Sequence, residues 1–122
     1  MKFNNNEIYQ IASILAKVFD NLDIYIPAKA NFFIQKNIAT FAAAAQEIEK
    51  SRLEIAKHYG VLDEEGRQYK IPEDKLEEAS KELNDLFSIE QELDIKIFSI
   101  EALGNAEFTS AQMQAMIFMI ED

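Results

Sequence analysis

The chain has no cysteine, one histidine and only three glycines among its 122 residues. Without cysteine there are no disulfide frameworks, thiolate zinc sites or cysteine nucleophiles. Three glycines leave little material for a phosphate-cradling loop, and neither GxGxxG nor a P-loop pattern occurs. The single histidine, His58, stands beside Tyr59 and Gly60 near the end of a helical stretch, where a cation suits the helix dipole. With carboxylates alone for company it makes a poor zinc site. No serine sits in a strand–turn–helix elbow. Carboxylate pairs at helical spacing, such as Glu73/Glu77 and Glu78/Glu82, have no Glu-x-x-His motif beside them, so a di-iron bundle is unsupported. Asp63, Glu64 and Glu65 lack the register of a calcium loop. The expectation is a chain that is not an enzyme and takes no cofactor and no metal.

Long apolar runs are missing too. None approaches the roughly 20 residues needed to span a bilayer, and MKFNNNEIYQ is too polar for a signal peptide. A soluble, intracellular chain without a membrane partner is expected. At 48% hydrophobic, one domain over residues 1–122 is large enough to bury its own core.

Basic charge is scarce: 12 lysines and arginines face 22 acids, a net charge of −10. The imbalance is local. Residues 1–59 hold six acids and seven bases, whereas residues 73–94 hold nine acids and two lysines. Direct grasp of a nucleic-acid backbone is disfavoured, because that takes a basic surface. The acidic segment is either a solvated face that aids solubility or a mimic of nucleic acid.

What the sequence does contain is a long helical stretch, Pro27 to Tyr59. Pro27 suits the first helical turn, and Gly60 is the residue type that ends helices in the left-handed conformation. The 32 residues between them hold no glycine or proline, about 48 Å of helix at 1.5 Å per residue. Ile34, Ile38, Phe41, Ala45, Ile48, Arg52, Ile55 and Tyr59 step 4-3-4-3, the seam of a helix packed lengthwise on another. The run Ala42 to Ala45 lets a partner backbone approach or leaves a groove. Arg52 interrupts the seam: either it snorkels to the edge, or it anchors a buried polar contact or an anionic partner.

Around that stretch the chain reads as follows. Met1 to Phe3 suits an edge strand. One of Asn4, Asn5 and Asn6 caps a first helix to about Phe19, with Glu7 well placed for its dipole and an apolar stripe of Ile8, Ile11, Leu15, Val18 and Leu22. The stretch Asn21 to Pro27 turns the chain, with Ile24 and Ile26 on one side and Tyr25 on the other. Lys29 opens the long helix where the dipole disfavours a cation; it is a surface lysine or meets a carboxylate or ligand. Val61 to Ile71 reads as a loop or loose hairpin turned at Glu65-Gly66. An acidic helix then runs from Pro72 to about Leu93, with Leu76, Ala79, Leu83, Leu86, Glu90 and Leu93 forming a seam that matches the long helix. Counting back from Tyr59 opposite Leu76 sets Arg52 near Leu83 and Glu90 against the alanines. Glu90 lies near the open end, pairs with a lysine such as Lys36, or belongs to a polar pocket. Asp94 to Ser99 alternates as a strand, Ile100 to Leu103 forms a turn stopped by Gly104, and Thr109 with Gln112 makes a capping box. The last helix, Ser110 to about Ile120, is apolar on several sides, as core filling or as a partner-binding face.

The fold class is therefore mainly α: an antiparallel helical hairpin of the long and acidic helices, flanking N- and C-terminal helices, and a small two- or three-stranded β patch. The segments Ile24-Tyr-Ile-Pro-Ala-Lys29, Ile34-Gln-Lys-Asn37, Arg52-Leu-Glu-Ile-Ala-Lys-His-Tyr-Gly60 and Asp63-Glu-Glu-Gly66 are similar to an uncharacterised family of small proteins from tailed bacteriophages and prophages. The resemblance spans nearly the whole chain on modest motifs. It implies phage origin, with residence in the host cytoplasm or association with the virion, and nothing about catalysis. The expected role is a non-catalytic interaction module that works through helical faces, in assembly or as a homo-oligomeric accessory protein. The alternative is an inhibitor of host defence, by acidic mimicry or by sequestering a nucleotide with Lys29, Lys36 and Arg52. The candidate partner-binding residues are Tyr25, Lys29, Lys36, Arg52, Met113, Met116 and Phe118.

Overall fold

The computed structural model describes residues 1–20 and 22–121; Asn21, the first residue of the expected turn, and Asp122 lie outside the described residues. Its axis is the helix α2, Ala28–Tyr59. Buried Ala30, Ile34, Asn37, Phe41, Ala44 and Ile48 keep a 4-3-4-3-4 step along it. The inward face is thus rotated slightly from the expected seam: Asn37 and Ala44 occupy places expected of Ile38 and Ala45. Pro27 precedes the helix as its cap, at φ −52 and ψ 144, and does not belong to the first turn.

Gly60 ends α2 for a different reason from the one its type suggests. Its backbone is extended, at φ −96 and ψ 165, and not left-handed. A Cβ there would stand 2.5 Å from the Ala56 carbonyl oxygen and 3.0 Å from the Tyr69 Cβ. The glycine allows strand and helix end to touch. Beyond it β2 (Val61–Leu62) and β3 (Tyr69–Lys70) form an antiparallel hairpin turned at Gly66, whose φ of 67 does use glycine's freedom.

Helix α1, Asn5–Val18, lies against α2. Asn4 caps it: its Oδ1 accepts from the Glu7 N–H at 2.7 Å, and Glu7 Oε1 accepts from the Asn4 N–H at 2.9 Å. Ile8 and Leu15 of the expected stripe are enclosed, with Ile11, Val18 and Leu22 partly so.

The acidic segment departs most from expectation. A 3₁₀ turn at Glu73–Lys75 leads into α3, Leu76–Ser88, which ends five residues before Leu93. Glu90–Glu92 is instead strand β4, antiparallel to β1 (Lys2–Asn4) with Phe3 opposite Gln91. Long-range bonds override the local helix preference of Glu-Gln-Glu. Asn5 donates from its backbone to the Ile89 carbonyl (2.8 Å) and from Nδ2 to the Leu86 carbonyl (2.9 Å). Its Oδ1 accepts from Gln91 Nε2 at 2.7 Å. Glu90 is consequently exposed on a strand, and does not face the alanines.

The expected strand over Asp94–Ser99 forms only at its end. Strand β5 (Phe98–Ser99) pairs in parallel with β6 (Ile120–Glu121). Among the described residues the strands make three separate two-stranded pairs, in place of one patch. A 3₁₀ turn, Ile100–Leu103, is stopped by Gly104 at φ 61 as expected. Helix α4 covers Ser110–Met116 with the Thr109–Gln112 capping box, then tightens to a 3₁₀ turn at Ile117–Met119, so it is shorter than expected. Gln112 also donates to the Val18 carbonyl at 3.1 Å, tying α4 to the end of α1. Phe3, Phe41 and Phe118 meet edge to face at the centre, with centroids 5.2 to 5.9 Å apart. No helix among the described residues is long and apolar enough to cross a membrane.

Candidate interaction surface

The geometry of α2 sets the surface. A helix with one face buried against α1 and α3 must send the other to solvent, and at 3.6 residues per turn that face recurs at three- and four-residue steps. Lys29, Phe32, Lys36, Ala39, Ala43, Glu47, Lys50 and Glu54 follow those steps, and all are exposed. Phe32 is 58% exposed despite its size, with the Lys36 ammonium 5.9 Å from its ring centroid. Tyr25, just before the helix, is 81% exposed and stands at an open hollow with Pro27 and Gly104. The expected alternation there is partial: Ile26 turns into the core, while both Ile24 and Tyr25 face out.

Three of the candidate residues, Tyr25, Lys29 and Lys36, thus lie at one end of the outward face. Arg52 does not join them. It is on another side of α2, about 35 Å from Lys29 at 1.5 Å per residue, and its guanidinium forks onto Glu49 at 2.9 and 2.5 Å. Tyr9 of α1 donates to the same carboxylate at 2.7 Å. Held by two donors, Glu49 drops to a pKa of about 2, mainly through Arg52, and its hydrogen bond with Tyr9 raises that phenol. Arg52 therefore neither snorkels alone nor waits for an anion; it is the partner of a carboxylate that stitches α1 to α2. The alanines beside this network leave a shallow groove of about 360 Å³ between the two helices.

Of the two readings of the terminal helix, core filling is the one the structure shows, and candidate Met116 is not on the surface. Met116 is fully enclosed and Met119 with it, Phe118 packs edge to face with Phe3 and Phe41, and Met113 packs on the core edge. The side chains fill the core because β6 and the 3₁₀ turn wrap this segment across the molecule. The large apolar side chain that the segment exposes is Ile117, at 68%.

A second apolar surface arises where the β2–β3 hairpin meets α3. Val61, Leu62, Ile71, Pro72 and Leu76 line an open groove of about 610 Å³, edged by Asp63, Glu64 and Glu73. A two-residue strand cannot bury both faces, so Val61 and Leu62 remain in solvent. On the flank of the same end, the Glu82 carboxylate raises the pKa of the Tyr59 phenol. Tyr59 thus meets Glu82 and Glu78 of α3, further along that helix than Leu76. His58 lies edge-on to Tyr59, at 4.6 Å between centroids. Among the described residues no group of three or more His, Asp or Glu side chains is placed to hold a metal ion.

Pattern reading missed Phe32, Val61, Leu62 and the buried Asn37. Phe32 carried a signal, since a large apolar residue fell off the inward seam; Asn37 carried none. No family model, curated protein sequence or solved structure matches this chain.

Proposed function

We propose that this chain is a non-catalytic interaction module of phage origin, acting through its helical faces in assembly or as a homo-oligomeric accessory protein. The observation that carries the reading is the open apolar groove of Val61, Leu62, Ile71, Pro72 and Leu76. Apolar side chains left in water around one concavity are the usual mark of a docking surface. The antiparallel hairpin of α2 and α3 belongs to this reading, supported by the short β2–β3 connection and the packing of α3 on α2. On the phage resemblance, such a module would work in the host cytoplasm or on the virion.

A photo-crosslinking side chain at Val61, expressed during phage infection, tests it. Discrete crosslinked species are expected at position 61 and absent when the same group replaces exposed Glu101. Identical patterns at both positions would remove the reading.

A second reading, inhibition of a host defence system, is favoured by the acidic face of α3. Glu77, Glu78, Glu82 and Asp85 are all exposed, and none forms an ion pair among the described residues. Charge reversal at Glu77, Glu78 and Glu82 that leaves inhibition intact removes the mimicry version. A nucleotide-sequestering version has to work with Lys29 and Lys36 alone, because Arg52 is engaged elsewhere. Calorimetry with cyclic nucleotides that gives no heat disposes of it.

A further inference from the structure

We infer that two copies of this chain pair through the outward face of α2, antiparallel, about a two-fold axis between Ala39 and Ala43. The inference rests on the reading above that helical faces are the working surfaces, and names the partner of one of them.

The ground is a charge pattern that is complementary to its own reverse. Along the exposed stripe the order is Lys29, Phe32, Lys36, Ala39, Ala43, Glu47, Lys50, Glu54. Laid head to tail against a second copy, Lys29 meets Glu54, Phe32 meets Lys50, Lys36 meets Glu47, and Ala39 meets Ala43. The two-fold axis repeats each contact, as an isologous interface requires. Two opposite-charge pairs, a cation over an aromatic ring and a small-residue crossing all fall in one register. In a parallel arrangement the same residues would set Lys29 on Lys29 and Glu47 on Glu47.

These groups are free to pair. Among the described residues Lys29, Lys36, Glu47 and Lys50 form no ion pair, and Glu54 has only a 3.9 Å contact with exposed Lys57. The two alanines at the centre let the backbones approach closely. Overall charge selects the face as well: two copies at −10 each repel, most strongly through residues 73–94, while the α2 stripe is close to neutral. The 26 residues from Lys29 to Glu54 give a contact about 39 Å long at 1.5 Å per residue.

Light scattering and sedimentation on the full chain test this. The wild type should run at twice its 14.0 kDa mass. Lys29→Glu with Lys36→Glu makes the stripe acidic apart from Lys50, and Glu47→Lys with Glu54→Lys makes it basic; each double variant alone should weaken pairing by at least about tenfold. Mixed one to one, the two should restore a dimer, because every pair is again of opposite sign. The quadruple exchange, Lys29→Glu, Lys36→Glu, Glu47→Lys and Glu54→Lys, should restore a homodimer. All positions are exposed, and circular dichroism monitors the fold. A wild type that stays monomeric, double variants that pair as well as the wild type, or a mixture that fails to recover the dimer would each overturn the inference. Persistence of the Val61 crosslink in those cases would leave the interaction-module reading standing, whereas its loss with the dimer intact would remove the Val61 groove as a docking surface and leave the pairing of α2.

Discussion

The Asn37 carboxamide makes both backbone hydrogen bonds of Lys96: Nδ2 donates to the Lys96 carbonyl at 2.9 Å, and Oδ1 accepts from its N–H at 2.8 Å. Asn37 is fully buried on α2, and Nδ2 also lies 3.2 Å from the Met119 sulfur. One side chain thus stands in for a neighbouring strand and fixes the irregular segment between β4 and β5 against the long helix.

Removing it leaves two backbone groups without partners. Asn37→Ala or Asn37→Leu should lower unfolding free energy by about 2–4 kcal/mol, a penalty of unsatisfied buried groups plus, for alanine, a cavity. Urea denaturation measures this, and the Lys96 amide should lose hydrogen-exchange protection first. A change below about 0.5 kcal/mol would mean that the clamp is not needed.

The Tyr9–Glu49–Arg52 network predicts an acid-side dependence. Glu49 has a folded pKa of about 2 against an ordinary 4.5. A depressed carboxyl contributes stability above its unfolded pKa and loses it as pH falls through the folded one. The contribution is therefore present above pH 4.5 and lost between there and about pH 2. The network is partly exposed, so its size is about 1 kcal/mol. Glu49→Gln should flatten that part of the stability-versus-pH curve and leave the neutral-to-alkaline slope up to pH 9 unchanged. Superimposable wild-type and variant curves would contradict it.

Gly60→Ala places a methyl group 2.5 Å from the Ala56 carbonyl oxygen, an atom of the helix backbone that cannot swing aside. We expect a loss of about 1–3 kcal/mol, with the β2–β3 hairpin loosened first, visible as faster exchange at Tyr69 and Lys70. Gly66→Ala is the contrast. Nothing lies near its Cβ, so only its φ of 67 is penalised, at about 1–2 kcal/mol.

Met116→Ala should cost about 2–5 kcal/mol through the cavity it opens in the core. Ile117→Ser, one residue on and exposed, should stay within about 0.5 kcal/mol. Thermal unfolding separates them, and equal losses would show that the terminal segment packs otherwise. Any loss of binding in a Met116 variant accordingly reads as loss of fold.

How much of this was legible depended on the range of the interactions involved. The capping box at Thr109–Gln112 is a pattern with a three-residue spacing, and the sequence shows it; at the first helix the sequence left three asparagines as candidate caps, and the structure assigns Asn4 with Glu7. The extent of α2 needed only the absence of glycine and proline. The end of α3 was not legible, since Glu90 to Glu92 prefer helix locally and are drawn into a strand by residues some 90 positions away. For the candidate residues the split is the same: exposure of Lys29 and Lys36 follows from their places around α2, while Met116 needed the fold to show it buried and Phe118 to show it partly so.

The amino-acid order by itself determined the extent of α2, the cap of α4, the acidic character of α3 and the chemistry excluded by missing cysteine and sparse histidine and glycine, because each depends on residues within a turn or two. Tertiary structure alone decided that Asn37 is a clamp, that Tyr9 joins Arg52 and Glu49, that Met116 and Met119 are core, and that the Val61 groove faces water. Those outcomes depend on which distant segments meet, and no local pattern records that.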